Sequence, residues 1–292
     1  MAEQKRDMWS EWLLNRRFGG NAEQMKTVMD FLYPVRDKVL QRANLGENET
    51  LLDIGCGDGL IAFGALDKAQ TVKVIFGDIS QELLNHAQTL AQSIGVVDRC
   101  QFICTPAEDL SAIDSASVDV VTTRSVLIYV AAKLQAFSEF YRVLKPRGRL
   151  SIFEPINRFR YPEPEHIFGG YDVTPIVEIA KKVKAVYHRL QPPDSDPMLD
   201  FDERDLVMFA EKAGFEEIRL ELQVEIKPKD NNVSWERMLR VAGNPRIPTL
   251  EEAMQATLTP AEQEAFVAQL RPLVEDKRGV SHSALAYLWA VK

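Results

Sequence analysis

Residues 51–60 read LLDIGCGDGL: an apolar run ends in a carboxylate, Asp53, and Gly55, Gly57 and Gly59 follow at alternate positions. A second carboxylate, Asp78, closes the run VKVIFGD at 72–78. Glycines after a strand let the backbone pass against a ligand where a Cβ would intrude. Two chemistries compete for this pattern. A dinucleotide fingerprint needs G-x-G-x-x-G. Counted from Gly55 the sixth residue is Leu60, which fails, and counted from Gly57 it is Ala62, which the relaxed form allows. The glycines alone do not decide, but Asp53 does: a carboxylate beside the loop repels a pyrophosphate and attracts a ligand bearing an ammonium or sulfonium group.

S-adenosylmethionine bears both groups. On this reading Asp53 holds the methionine amino end, directly or through water, and Gly55, Cys56, Gly57 and Gly59 form the loop against the ligand. Asp78 accepts both ribose hydroxyls, as acids do in nucleotide-binding βαβ units, and Ile79 flanks the adenine. The structural alternatives are that Asp53 only caps the following turn, and that Asp78 is an exposed carboxylate favoured by a helix dipole.

These residues need elements to place them. Short apolar runs at 50–54, 72–78, 100–104, 117–123 and 149–154 read as strands, and the stretches 60–69, 80–95 (capped by Ser80) and 131–144 between them read as helices. Such alternation implies a parallel sheet with helices on both faces. Before it, 7–18 and 22–42 read as helical, the second interrupted near Pro34. After Glu154 the rhythm breaks into proline, aromatic and charged residues, with a helix near 175–190. A helix at 201–215 stopped by Gly214, a long strand at 216–226, helical segments over 233–273 and a buried strand at 282–292 complete the chain.

DIGCGDG at 53–59, GDIS at 77–80, TPAEDL at 105–110 and RVLKPRGRL at 142–150 together resemble a class I S-adenosylmethionine-dependent methyltransferase of the small-molecule type, over roughly residues 45–155. The resemblance implies an α/β, doubly wound, Rossmann-like, mostly parallel seven-stranded sheet with an antiparallel last strand. It divides the chain into an N-terminal helical lid (1–44), a cofactor-binding core (45–154), an acceptor-cap insertion (155–200) and a completion of the sheet (201–292) carrying a helical insertion at 233–273. Where the family often has an acidic residue this chain has Pro106, so backbone at Ala107 or the carboxylate of Glu108 is left to meet the adenine amino group. Arg124, directly after strand four, falls where the family meets the methionyl part. It pairs with the cofactor carboxylate, with an anionic acceptor, or in a structural salt bridge.

The segment EPINRFRYPEPEHIFGGYD (154–172) is expected to roof the acceptor. The catalytic group stays unassigned, with His166 as a possible general base and Tyr161 and Arg124 as further candidates. Trp9, Trp12, Arg17 and Phe18 are candidates for a lid over the cofactor. The expected activity is methyl transfer to an oxygen, nitrogen or carbon of a small-molecule acceptor. The rivals are an NAD-dependent oxidoreductase, and a protein that binds the sulfonium cofactor for non-methylation chemistry or regulation.

Composition narrows the partners. The 292 residues carry a formal charge of −8, with Lys and Arg scattered, so no basic face for nucleic acid is expected. Cys56, Cys100 and Cys104 read as reduced thiols, and with the four His dispersed no metal site is expected. The charged start MAEQKRD and the lack of a long apolar run point to a cytoplasmic chain without signal peptide or membrane span.

Overall fold

The computed structural model describes residues 7–13, 22–229 and 234–292. Five parallel strands come first: β1 (Thr50–Ile54), β2 (Lys73–Asp78), β3 (Cys100–Cys104), β4 (Val118–Arg124) and β5 (Leu144–Pro155). The sheet order is β3-β2-β1-β4-β5-β9-β8, where β8 is Glu216–Pro228 and β9 is Val280–Val291. β9 runs antiparallel to both β5 and β8, so it is the one reversed strand. This is the doubly wound, mostly parallel seven-stranded sheet with an antiparallel last strand that the motif order implies.

Period-two alternation buries each central strand on both faces. Leu51, Val74 and Val120 point to one side, where α2 (Ala22–Ala43), α3 (Leu60–Lys68) and α4 (Gln81–Ser93) close a core through Val39, Leu40, Ile61, Ala65 and Leu84. Leu52, Ile54 and Val121 point to the other, under α5 (Lys133–Val143) and α7 (Glu203–Ala213), with Phe137, Phe140 and Leu206 fully buried. The helix predicted to break near Pro34 runs through it unbroken. Pro34 removes one intrahelical hydrogen bond, but the helix is anchored past it by Val35, Val39, Leu40 and Ala43, which pack on the sheet, and Leu32 just before it is buried too. The strand read at 100–104 forms as β3 at the sheet edge, and Cys104 on it is exposed. At the N-terminus α1 (Met8–Glu11) is helical, and Arg17 and Phe18 lie outside the described residues.

Two insertions leave the sheet. The first follows β5 and contains the small hairpin β6 (Ile167–Phe168) and β7 (Tyr171–Asp172) and the helix α6 (Val177–Leu190). The second lies between β8 and β9 and holds α8 (Trp235–Arg240), α9 (Leu250–Thr257) and α10 (Pro260–Glu275), over the stretch 233–273 read as helical segments. Thr249 and Thr259 each form a capping box and so restart the helix twice. The two insertions, distant in sequence, pack on one another around a single core of Phe168, Tyr171, Val183, Trp235, Phe266 and Leu270. They form one cap.

Phe266 is fully buried at the centre of that cap core and stacks edge-on against Phe168 at 5.3 Å between centroids. Phe266→Ala is expected to cost about 3–5 kcal/mol of cap stability. The cap amides should lose hydrogen-exchange protection while β1, β2 and β4 keep theirs; equal loss in both regions would show that cap and sheet unfold as one unit.

Candidate functional site

The carboxyl ends of β1, β2 and β4 open on a cavity of about 300 Å³. Gly55 and Gly57 form its floor with φ of +64° and +55°, values that favour glycine. A Cβ on Gly55 would lie 2.3 Å from Val126 Cγ2, itself part of the wall. Asp78 is 6% exposed and accepts from the Gly57 and Ser80 amides at 2.8 and 2.9 Å. Burial pushes its carboxyl above the usual range, and those two amides pull it back. Ile79, Ala107, Glu108 and Arg124 complete the wall on this side. Among the described residues Arg124 has no hydrogen-bond or ion-pair partner, so the expected alternative of a structural salt bridge is not what the fold makes of it.

Three further residues assigned from the sequence, Asp53, Cys56 and Gly59, are not among those that line the cavity. Asp53 stands near the carboxyl end of β1. It is 2% exposed, and its two oxygens accept from Thr122 Oγ1 at 2.9 Å and the Ala62 amide at 3.2 Å. It therefore ties β1 to β4 and caps α3. Burial dominates its environment and raises its carboxyl from 3.8 to about 7, against the lowering effect of Thr122 and Arg124. Cys56 turns its side chain into the core beneath the loop. Gly59 is the N-cap of α3 with φ of +85°, and a Cβ there would meet Phe63 at 2.5 Å, so its role is to let the helix start.

Several wall residues carried no signal in the sequence. Tyr129 sits after β4 on a short 3-10 turn, Leu127–Tyr129, whose amides are held by Glu154. Glu154 Oε1 accepts from Val126 and Leu127, each at 2.9 Å, and Oε2 from Ile128 at 3.4 Å. Glu154 is fully buried, which raises it from 4.5 to about 7 although the three amides lower it. The turn begins at Ser125, a non-glycine residue at φ +57° beside Arg124. Strain of that kind persists where surrounding contacts fix it, and here Glu154 does so. Trp9 and Trp12, by contrast, were singled out in the sequence, and both line the cavity, Trp9 edge-on to Tyr129 at 4.8 Å. Arg246, from the second insertion, enters the same cavity and donates to the Tyr129 carbonyl at 3.3 Å.

A second cavity, about 280 Å³, lies within the cap. Tyr161 and Arg160 line it, as do Asn157, Lys184, Tyr187 and Asn244. The side-chain nitrogen of Asn157 is buried there without a partner. Burial raises the Tyr187 hydroxyl and lowers the Lys184 amine. His166, the candidate base, lines neither cavity: it is exposed on the approach to β6, where its carbonyl holds the Val173 amide. The two cavities share a wall. Trp12 Nε1 donates to the Ala242 carbonyl at 3.0 Å, Asn244 faces the cap cavity, and two residues on Arg246 faces the other.

Residues 52–152 match a family model described as a methyltransferase domain. The ubiquinone/menaquinone biosynthesis C-methyltransferase UbiE of Rickettsia typhi is 29% identical over 154 residues, which is 49% of this chain and 61% of that protein. The chain thus covers less than two thirds of this relative's length. Among solved structures, the YcgJ protein of Bacillus subtilis superposes with a TM-score of 0.55 at 16% identity, over 89% of this chain and 98% of that one. Phosphoethanolamine N-methyltransferase 2 of Haemonchus contortus, solved with phosphomonomethylethanolamine and S-adenosylhomocysteine, gives 0.52 at 18% identity over 98% of this chain and 56% of that one. At these identities the structural likeness is one of fold.

The titration of Asp53 is testable without a ligand. Its folded-state value near 7 lies above the 3.8 of a free carboxyl, so the folded chain binds this proton more tightly. The stability it contributes is complete below 3.8 and is lost as pH rises to about 7. Asp53→Asn is expected to flatten the decline of urea-unfolding free energy across that window, by on the order of 1 kcal/mol per pH unit where the wild type is steepest. Glu154 retains a slope of the same sign. Identical slopes in wild type and variant would refute the assignment.

Proposed function

We propose that this chain, which belongs to the class I S-adenosylmethionine-dependent methyltransferase superfamily, transfers a methyl group to a small-molecule acceptor seated beneath the cap. The observation that carries the reading is the wall of the first cavity: a glycine floor, a buried carboxylate on β2 and an Arg124 guanidinium with no hydrogen-bond or ion-pair partner among the described residues. A zwitterionic nucleoside fits this set. Arg124 suits its carboxylate, Asp78 its ribose hydroxyls, Ile79 one face of its base, and Ala107 or Glu108 the base's amino edge. Asp53 acts on the ligand only through the α3 start and the Thr122 hydroxyl that it fixes.

The same geometry weighs against the nicotinamide reading. A pyrophosphate is bound by free amides at a helix N-terminus. Here Asp78 already holds the Gly57 amide and Asp53 the Ala62 amide, so two carboxylates occupy the donors that a diphosphate needs.

Bound S-adenosylmethionine supplies an electrophilic methyl on its sulfonium. What the chain adds is alignment and exclusion of water, an effect worth roughly 7–11 kcal/mol in favourable cases. Trp9, Trp12 and Arg246 close the cavity from two directions and shield it. We place the body of the acceptor in the cap cavity, with its reacting atom reaching past the 242–246 segment into the first cavity. The lining of the cap cavity joins apolar side chains such as Phe168, Met238 and Ile247 to unpaired donors on Asn157 and Tyr187. That combination favours an acceptor with an apolar body and a hydrogen-bond-accepting carbonyl, phenolate or carboxylate. Tyr161 and Tyr187 replace His166 as the side chains placed to relay an acceptor proton, should the nucleophile need to lose one.

Two measurements test this. Calorimetry should show binding of S-adenosylmethionine and S-adenosylhomocysteine but not NAD. Gly55→Val should abolish that binding in a chain that still folds by circular dichroism. Arg124→Ala should weaken it about tenfold, the loss of one charge-assisted hydrogen bond. Tight NAD binding, or normal cofactor binding by Gly55→Val, would overturn the site.

With an acceptor found by screening metabolites for transfer of labelled methyl, Asn157→Ala and Tyr187→Phe should raise acceptor KM several-fold. Cofactor affinity should stay within about twofold, and His166→Ala should change neither quantity. Loss of cofactor affinity in the cap variants would show that the cap cavity is not the acceptor's seat.

A further inference from the structure

β8 is the terminal strand of the sheet, and among the described residues no strand pairs with its outer side. Its sequence alternates without exception from Ile218 to Ile226. Ile218, Leu220, Leu222, Val224 and Ile226 share one face, and Arg219, Glu221, Gln223 and Glu225 the other. Burial divides the apolar face in half. Ile218 and Leu220 pack against the α5–α7 core, whereas Leu222, Val224 and Ile226 are 38%, 48% and 59% exposed. Long edge strands with an apolar face are normally blunted by bulges, proline or inward charges. Here the irregularity lies between Glu216 and Arg219 and the proline at 228, so the stretch from Arg219 to Lys227 is regular and open.

We propose that this edge pairs antiparallel with β8 of a second copy of the chain, about a two-fold axis at Leu222, joining the two sheets into one. The register follows from charge. A two-fold axis through a continuous sheet keeps each face on its own side, so directly opposed residues must have the same parity. An axis at Glu221 sets Glu221 against its own copy. An axis at Gln223 sets Glu221 against Glu225 and Arg219 against Lys227, and like charges directly opposed are unfavourable. An axis at Leu222 sets Arg219 against Glu225 and Glu221 against Gln223, each twice, with Leu220 against Val224 and Leu222 against itself.

An axis at Val224 also avoids like charges, but it directs Lys227 to Glu221, which Lys38 and Arg42 of α2 already hold. It would also leave the exposed half of each strand facing the other's exposed half. The Leu222 axis instead brings the uncovered Val224 and Ile226 of one copy beside the covered Leu220 and Ile218 of the other, next to its α7. The existing contacts of these charges are surface pairs within the strand: Glu225 with Lys227 at 2.8 Å, and Arg219 with Glu217 at 3.9 Å.

Sedimentation equilibrium of the full chain tests the proposal. The wild type should be a dimer. R219E and E225R should each weaken dimerisation at least about tenfold, and the double variant R219E/E225R should recover to within about threefold of wild type. None of these residues lines either cavity, so cofactor affinity serves as a control of folding. A monomeric wild type overturns the proposal, as does a dimer indifferent to both single changes or a double variant that does not recover. Should a single variant fail to fold, hydrogen exchange of the wild type decides. The outward amides between 219 and 225 must be protected in the dimer and exchange freely on dilution, and equal protection at both concentrations refutes the pairing.

Discussion

Three buried carboxylates stand at the carboxyl ends of parallel strands: Asp78 on β2, Asp53 on β1 and Glu154 on β5. Each accepts hydrogen bonds from the backbone of a turn at that end of the sheet. Asp78 holds Gly57 and Ser80, Asp53 holds Ala62, and Glu154 holds Val126, Leu127 and Ile128. A turn leaving a strand for a helix exposes amides with no ladder partner, and leaving them buried and unpaired is costly. Burying a charge is costly as well, and both Asp53 and Glu154 show it in carboxyls raised to about 7. The amides and carboxylates offset each other's desolvation, and the turns are thereby held at fixed positions around an open space.

That arrangement decides what the cavity accepts. With the loop amides turned to carboxylates, the strand ends present a surface poor in free backbone donors. The wall carries a side-chain cation, Arg124, without a hydrogen-bond or ion-pair partner among the described residues, which stands where β4 ends and the strained Ser125 begins. The floor can be approached closely because a side chain on Gly55 would run into Val126, and Val126 is itself set by Glu154. One side of the pocket is thus braced by a strand two places away in the sheet.

The cap adds a second layer of dependence. Its own core is separate from the two cores of the sheet, and it meets the cavity at the strand ends through a narrow segment, Ala242 to Arg246. Trp12 from the start of the chain and Arg246 from near its end both contribute to closing one space. The wall at the strand ends and the cap cavity thus join along that segment.

The sheet and its helices were legible in the sequence because each depends on local periodicity and on turn residues at their ends. The glycine loop, Asp78, the Ser80 cap and the Gly214 stop are signals of that kind. Gly55, Gly57, Asp78, Ile79, Ala107, Glu108 and Arg124 do meet at one cavity, since strand ends in a parallel sheet converge by construction. For Asp53 the sequence shows that a carboxylate lies beside a loop, but not which way its oxygens turn. Only the pairing of β1 with β4 supplied Thr122 as its partner. Arg246 and Tyr187 lie in insertions whose helices carry no spacing that points at the sheet. His166 had suitable chemistry on a segment with the right order, but its exposure was decided by the β6–β7 hairpin. Local pattern determined which elements form and in what order. Long-range packing, which sets the direction of a side chain and the company of a loop, decided which of their residues share a site.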